Sequence, residues 1–196
     1  MDINDTQAEK DQTPLHHQRV CPWWFCFTFD NVLRKLFQDP ERILKPYIMQ
    51  GWTVLDVGPG MGYFTIPLAK LVGDTGKVIA ADLQQKMLDG IYRRALKAGV
   101  QNRIKLNQST PDSIGISEYI DFCLAFWMVH EVPDRTRFFG EISSKLKRDG
   151  LLLFVEPKLH VSKENFNRTL GILKSTGLSA IGQPKIFLSY STLLKK

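Results

Sequence analysis

From Thr53 onward the chain repeats one pattern: a short, almost wholly apolar run, then a longer amphipathic segment. The first run is "TVLDV" (Thr53–Val57), and a helix from Gly62 to Leu71 follows with Phe64, Leu68 and Leu71 on one face. "KVIAAD" (Lys77–Asp82) precedes a helix over Gln84–Ala98, and "RIKLNQ" (Arg103–Gln108) comes next. "YIDFCLAFW" (Tyr119–Trp127) and "GLLLFVEP" (Gly150–Pro157) flank a helix over Asp134–Lys147. A helix over Ser162–Thr176 then leads into "LSAIG" and "KIFLSYSTLL". Strands that are apolar on both sides need cover on both sides. The expected fold is therefore α/β, a Rossmann-like doubly wound sheet, mostly parallel, with helices on both faces. Only two or three residues around "QP" separate the last two runs, too few for a parallel crossover, so those strands should pair antiparallel. Ligands of such sheets bind beyond the carboxyl ends of the strands, at the switch point.

Before this pattern lie about 50 residues of different character. Residues 1–18 are polar and charged with no periodicity, the composition of a disordered segment. Residues 19–50 read as an aromatic and helical extension of the domain at 51–196. Within it "CPWWFCFTFDN" (Cys21–Asn31) places five aromatic residues between Trp23 and Phe29. Asp30 or Asn31 can cap a short helix through Phe37, and Asp39-Pro40 opens another that ends near Tyr47, before Gly51. The aromatic run either packs on the domain or serves as a lid that excludes water from an apolar or planar ligand.

Composition narrows the classes. No apolar run approaches the ~20 residues that span a bilayer, and the polar, acidic start is no secretory signal, so a cytoplasmic protein is expected. Cys21, Cys26 and Cys123 make neither a disulfide framework nor a zinc site, and no metal is expected. A net charge of +6 invites a nucleic-acid partner, with basic residues grouped at Arg93, Arg94, Lys97, Arg103 and Lys105. A solvated basic face explains the same grouping.

"VLDVGPGMGYF" (Val54–Phe64) holds glycines at 58, 60 and 62 directly after a strand. The dinucleotide fingerprint needs a glycine at position 63, where Tyr63 stands, and no Gly-Lys-Ser/Thr of a phosphate loop occurs. Asp56 lies two residues before the first glycine. A carboxylate there repels a pyrophosphate and suits a ligand that carries an ammonium and a sulfonium. Asp82 ends the second strand, 20 residues beyond Gly62, where an acidic side chain can accept both hydroxyls of a ribose.

On these residues the chain resembles the class I S-adenosylmethionine-dependent methyltransferases. "VLDVGPGMGYFT", "VIAADLQQKML", "IDFCLAFWMVHEVPD" and "LKRDGLLLFVEPK" resemble four of their motifs in the correct order, and the resemblance covers about residues 50–196. Within the superfamily the likeness is to the type 11 group, which includes ubiquinone and menaquinone methyltransferases. The resemblance implies a seven-stranded sheet whose last strand is antiparallel, with S-adenosyl-L-methionine as cofactor. It places the methionine part along Asp56, Gly58, Pro59, Gly60 and Gly62, and the ribose on Asp82. Leu83 and Met87 would lie beside the adenine. The acidic residue that many relatives carry after the third strand is replaced here by Ser109 or Thr110, and Ala125 and Phe126 would approach the cofactor from below.

Methyl transfer rests mainly on in-line placement, and a general base is needed only when the acceptor must lose a proton. His130 follows the fourth strand and Glu156 ends the fifth, and the two are the candidate catalytic residues. Lys158 and His160 could meet an anionic acceptor. The leading expectation is a methyltransferase acting on a small molecule. RNA or protein methylation, a cofactor-binding protein without catalysis, and methylation of a thiol-held metalloid are the alternatives.

Overall fold

The computed structural model describes residues 37–196. Residues 1–18, expected to be disordered, the aromatic run and most of the helix expected to end at Phe37 lie outside the described residues. Helix α1 (Pro40–Leu44) starts because the Asp39 side chain accepts a hydrogen bond from the Glu41 N–H at 3.0 Å and Pro40 occupies the first turn. It ends at Leu44 rather than near Tyr47, whose N–H folds onto the Leu44 carbonyl in a turn.

The remaining elements are β1 (Thr53–Val57), α2 (Thr65–Leu71), β2 (Lys77–Asp82), α3 (Gln85–Ala98), β3 (Ile104–Gln108), β4 (Ile120–Phe126), α4 (Arg135–Lys145), β5 (Leu146–Pro157), α5 (Lys163–Ser175), β6 (Ser179–Gly182) and β7 (Ser189–Lys195). They build the expected seven-stranded sheet, in the order β3-β2-β1-β4-β5-β7-β6. The first five strands are parallel, and β7 pairs antiparallel with both β5 and β6. Alternation along each strand divides the core. Leu55, Val57, Ile79, Cys123, Ala125, Leu152 and Phe154 pack with Phe139 and Ile142 of α4 and with Phe166 and Leu173 of α5. Val54, Val78, Phe122, Leu124, Leu153 and Val155 pack with Leu44 of α1, Leu68 of α2 and Ala95 of α3. Chain order reverses between β1 and β4, so their carboxyl ends flank the switch-point crevice.

Three further boundaries differ from those the sequence suggests. Helix α2 starts at Thr65, not Gly62, because Gly62 has φ +85° and no helix accommodates that. Strand β5 starts at Leu146 and pairs it with Ile120, then bulges and resumes pairing at Leu151 with Phe122. The bulge holds Asp149 at φ +66°, and a Cβ on Gly150 would meet the Lys147 carbonyl at 2.9 Å. The β6–β7 connection is six residues, 183–188, rather than two or three. "KIFL" is apolar because Ile186 drops into the core, not because it is strand. The Ser189 N–H closes a turn on the Ile186 carbonyl, and the Lys158 N–H binds the Leu188 carbonyl.

Candidate active site

The glycine loop leaves β1 at Val57 and is fixed by the Gly58 N–H on the Ala81 carbonyl and the Gly62 N–H on the Pro59 carbonyl. Gly58, Gly60 and Gly62 all have positive φ, but their surroundings differ. A Cβ on Gly58 would meet Met128 Cγ at 2.8 Å, and one on Gly62 would meet Ile91 Cγ1 at 3.0 Å. Those two glycines admit neighbouring side chains. A Cβ on Gly60 would meet nothing within 4 Å, so this backbone borders the open crevice, where close approach to a ligand is possible.

Two carboxylates stand under that loop. Asp56 is 2 % exposed and accepts a hydrogen bond from the Thr65 hydroxyl at 2.7 Å. Burial raises its pKa to about 7, the Thr65 bond opposing and the charge of Asp82 adding. Asp82, 9 % exposed, accepts the Gln84 N–H at 2.9 Å and is also bonded by the Gly60 and Leu83 backbones. Burial raises it to about 6, the Gln84 and Gly60 bonds opposing and the charge of Glu131 adding. The donor set fits a cationic ligand with a ribose: two buried carboxylates that gain from a positive charge, beside a backbone with room at Gly60.

The other cofactor candidates surround these groups unequally. Pro59 is half-buried within the loop; Leu83 is exposed beside Asp82, and Met87 is buried on α3. The Ser109 N–H binds the Asp82 backbone carbonyl, and its hydroxyl donates to the Ile114 carbonyl. Thr110 pairs with Ser113 in a turn. Ala125 is fully buried in the core on the α4 and α5 side, and Phe126 packs on Phe64 with ring centroids 4.2 Å apart.

His130 and Glu156 meet across the ends of β4 and β5. The His130 Nδ1–H donates to Glu156 Oε2 at 2.7 Å, Glu156 is 2 % exposed, and the His160 ring stands edge-on to His130 with centroids 5.9 Å apart. Desolvation, the largest single effect, opposes charging of the imidazole. The hydrogen bond and charge of Glu156, helped by Glu131, outweigh it, so the His130 pKa is raised. Lys158 sits over the Tyr190 ring at 5.3 Å.

Sequence reasoning missed the groups that hold these pieces. Thr65 could have been suspected as a hydroxyl at the start of the helix after the glycines. Trp127 could not: it is a bulky residue at φ +59°, with its N–H on the Val155 carbonyl and its indole N–H donating to Ser189 Oγ at 3.0 Å. Cys123 is fully buried, which takes it out of any thiol trio, and Cys21 and Cys26 lie outside the described residues. Among the described residues no His, Cys, Asp and Glu grouping of three could hold a metal ion, and no helix is long and apolar enough to cross a membrane.

The raised carboxylate values set a pH signature. Between about pH 4 and pH 7 the folded state binds more protons at Asp56 and Asp82 than the unfolded chain, so stability falls as pH rises through this window. A cationic ligand favours the ionised pair and reverses the penalty. S-adenosylmethionine should therefore bind more tightly at pH 8 than at pH 5.5, by up to about tenfold per pH unit for each proton released. S-adenosylhomocysteine, which lacks the sulfonium charge, should show a shallower rise. Calorimetry with both ligands across this range checks it, and identical pH slopes would remove the sulfonium from the neighbourhood of Asp56.

A Rossmann-like sheet ending in an antiparallel strand, with a glycine loop over two buried carboxylates, defines the class I methyltransferase architecture. The comparisons with known proteins agree: residues 54–150, about half of the chain, match the family described as "Methyltransferase domain". Over those residues the chain belongs to this methyltransferase family. It is 28 % identical over 110 residues to the ubiquinone/menaquinone biosynthesis C-methyltransferase UbiE of Escherichia coli O1:K1, across 56 % of this chain and 44 % of that protein. The chain thus matches less than half the length of that curated relative. A crystal structure of a SAM-dependent methyltransferase from Aquifex aeolicus superposes with a TM-score of 0.78 at 25 % identity, covering 89 % of this chain and 98 % of that one. TrmN from Thermus thermophilus shares the fold, with a TM-score of 0.64 at 18 % identity over 80 % of this chain and 48 % of that one.

Proposed function

We propose that the chain acts in the cytoplasm and methylates a small-molecule acceptor that gives up a proton to His130. The observation that carries this reading is the 2.7 Å contact from His130 Nδ1 to the buried Glu156. Glu156 fixes the tautomer, which leaves Nε2 as the basic nitrogen, and its negative charge stabilises the imidazolium that forms. Asp56 and the backbone at Gly58–Gly62 hold the methionine part of the cofactor, and Asp82 holds its ribose. Bound there, S-adenosylmethionine supplies an electrophilic methyl group on a sulfonium. The chain's contribution is to align acceptor and methyl, to take the proton at His130 Nε2, and to keep water out. Lys158 and His160, exposed beside the dyad, face an acceptor arriving from the β5 side. The aromatic run Trp23–Phe29 is proposed as a lid on its composition alone, five aromatic residues in seven positions.

The +6 charge favours the second reading, an RNA substrate. Against it, Arg103 is paired with Asp74 and Lys105 with Glu118, so part of the basic grouping is neutralised on the protein itself. Incubation with methyl-labelled cofactor and separate pools of small molecules, RNA and protein tests both. Label is expected in a small molecule, and RNA retention should vanish at moderate salt. Label in RNA, with binding that survives physiological salt, would overturn the small-molecule reading. No transfer to any pool would favour a cofactor-binding protein without turnover.

A further inference from the structure

Gln38 is 3 % exposed although it belongs to no regular element, and its two polar ends reach opposite walls of the crevice. Its backbone carbonyl accepts the Tyr63 hydroxyl at 3.0 Å, beside the glycine loop. Its side-chain Nε2 donates to the Phe187 carbonyl at 3.0 Å, in the β6–β7 connection. That same carbonyl accepts the Ser189 hydroxyl at 3.1 Å, and Ser189 Oγ accepts the Trp127 indole N–H. From Trp127 the aromatic rings run back through Phe126 (5.5 Å) and Phe64 (4.2 Å) to Tyr63 (5.3 Å). The contacts close into a ring, and Gln38, which precedes the sheet in the chain, joins the glycine-loop side to the β6–β7 connection.

The ring passes through a strained point. A tryptophan at φ +59° persists only where its surroundings hold it, and here its backbone N–H and its indole are both bonded. This turn lays Met128 against Gly58 and carries His130 to Glu156. Relaxing it disturbs the dyad on one side. Releasing Tyr63 disturbs the glycine loop on the other.

We propose that Gln38 is a positioning residue, a clasp that holds the cofactor loop and the His130 turn in register. The proposal rests on the reading of the glycine loop as the cofactor site and of His130 as the acceptor side. Its side chain anchors the carbonyl that Tyr63 uses, so its loss reaches both walls, whereas Tyr63 serves the first wall and Ser189 the second.

The test uses the full chain and two readouts that need no acceptor. One is the affinity for S-adenosylhomocysteine by calorimetry; the other is the His130 imidazole titration by NMR, assigned with His130→Gln. Tyr63→Phe should weaken S-adenosylhomocysteine by about three- to tenfold, the effect of one hydrogen bond, and leave the His130 titration in place. Ser189→Ala should lower the His130 midpoint and keep affinity within about twofold. Gln38→Ala should do both, and adding Tyr63→Phe to it should weaken binding no further. Gln38→Ala that lowers only the melting temperature, with both readouts at the parent value, overturns the clasp. If Gln38→Ala fails to fold, the two single-bond variants decide: either one leaving its own readout unmoved overturns the proposal. A parent chain that binds no S-adenosylhomocysteine would sink the cofactor reading itself, while the His130 titrations would still report on the clasp.

Discussion

His130→Gln is expected to lower turnover of the acceptor returned by the label screen by about 10²- to 10⁴-fold, the usual contribution of a positioned general base. Glutamine keeps volume and hydrogen bonding but cannot take a proton, and His130 is only part-buried, so cofactor affinity and fold should hold. The pH profile sharpens the expectation. His130 must be neutral to act, and its pKa is raised, so turnover should climb with pH through a midpoint above the ordinary imidazole value. Glu156→Gln removes the charge that sustains this rise, and the climb should move to lower pH while its maximum falls, because the imidazolium loses its counter-charge. Single-turnover rates for parent and variants across pH 5.5–9 measure both effects. His130→Gln turning over like the parent would mean that the acceptor attacks without losing a proton, and that the dyad only holds the β4 and β5 ends together.

Most of the sheet was legible because the strands advertise their burial. "VIAA" and "FCLAF" are apolar at consecutive positions, and "VLDV" at all but Asp56, which is the pattern of strands covered on both faces, and they pair in the expected parallel order. Legibility failed where an apolar residue served a loop or an irregular, bulged stretch of strand. Ile186 belongs to a loop that plugs the core, and Leu146 begins a strand through a bulge that Asp149 and Gly150 interrupt. Periodicity carries no information about either, because both depend on what the opposite strand offers.

The candidate site divides in the same way. Asp56, the glycines and Asp82 were readable because their spacing from a strand end fixes their place in space. The reason for each glycine was not: Gly58 and Gly62 answer to Met128 and Ile91, residues 70 and 29 positions further on. His130 and Glu156 were separately suspected, and only the adjacency of β4 and β5 makes them a pair. Trp127, Ser189 and Gln38 carry no local signal, since their roles arise from hydrogen bonds across 62 and 149 residues of sequence.

Asp82→Ala is expected to weaken S-adenosylmethionine by about tenfold to a few hundredfold, since a carboxylate accepting hydroxyl hydrogen bonds contributes roughly 1.5–3 kcal/mol per bond. The structure adds a second route to the same loss: the carboxylate also accepts backbone bonds from Gln84, Gly60 and Leu83, so its removal loosens the loop beside it. Stability should change little near neutral pH. The lost backbone bonds are offset by relief of a buried charge whose pKa stands at about 6, with Glu131 pressing on it. Asp82→Asn keeps the shape and one acceptor oxygen and should lose less affinity. One further consequence separates the ribose role from a general disturbance. Asp82 is one of the charges that raise Asp56, so without it the pH dependence of cofactor binding should shift to lower pH and span one group instead of two. Calorimetry of parent, Asp82→Ala and Asp82→Asn at several pH values reads all of this together. Parent-like affinity in Asp82→Ala would show that the ribose is held elsewhere, and with it would fall the assignment of the β2 end to the cofactor.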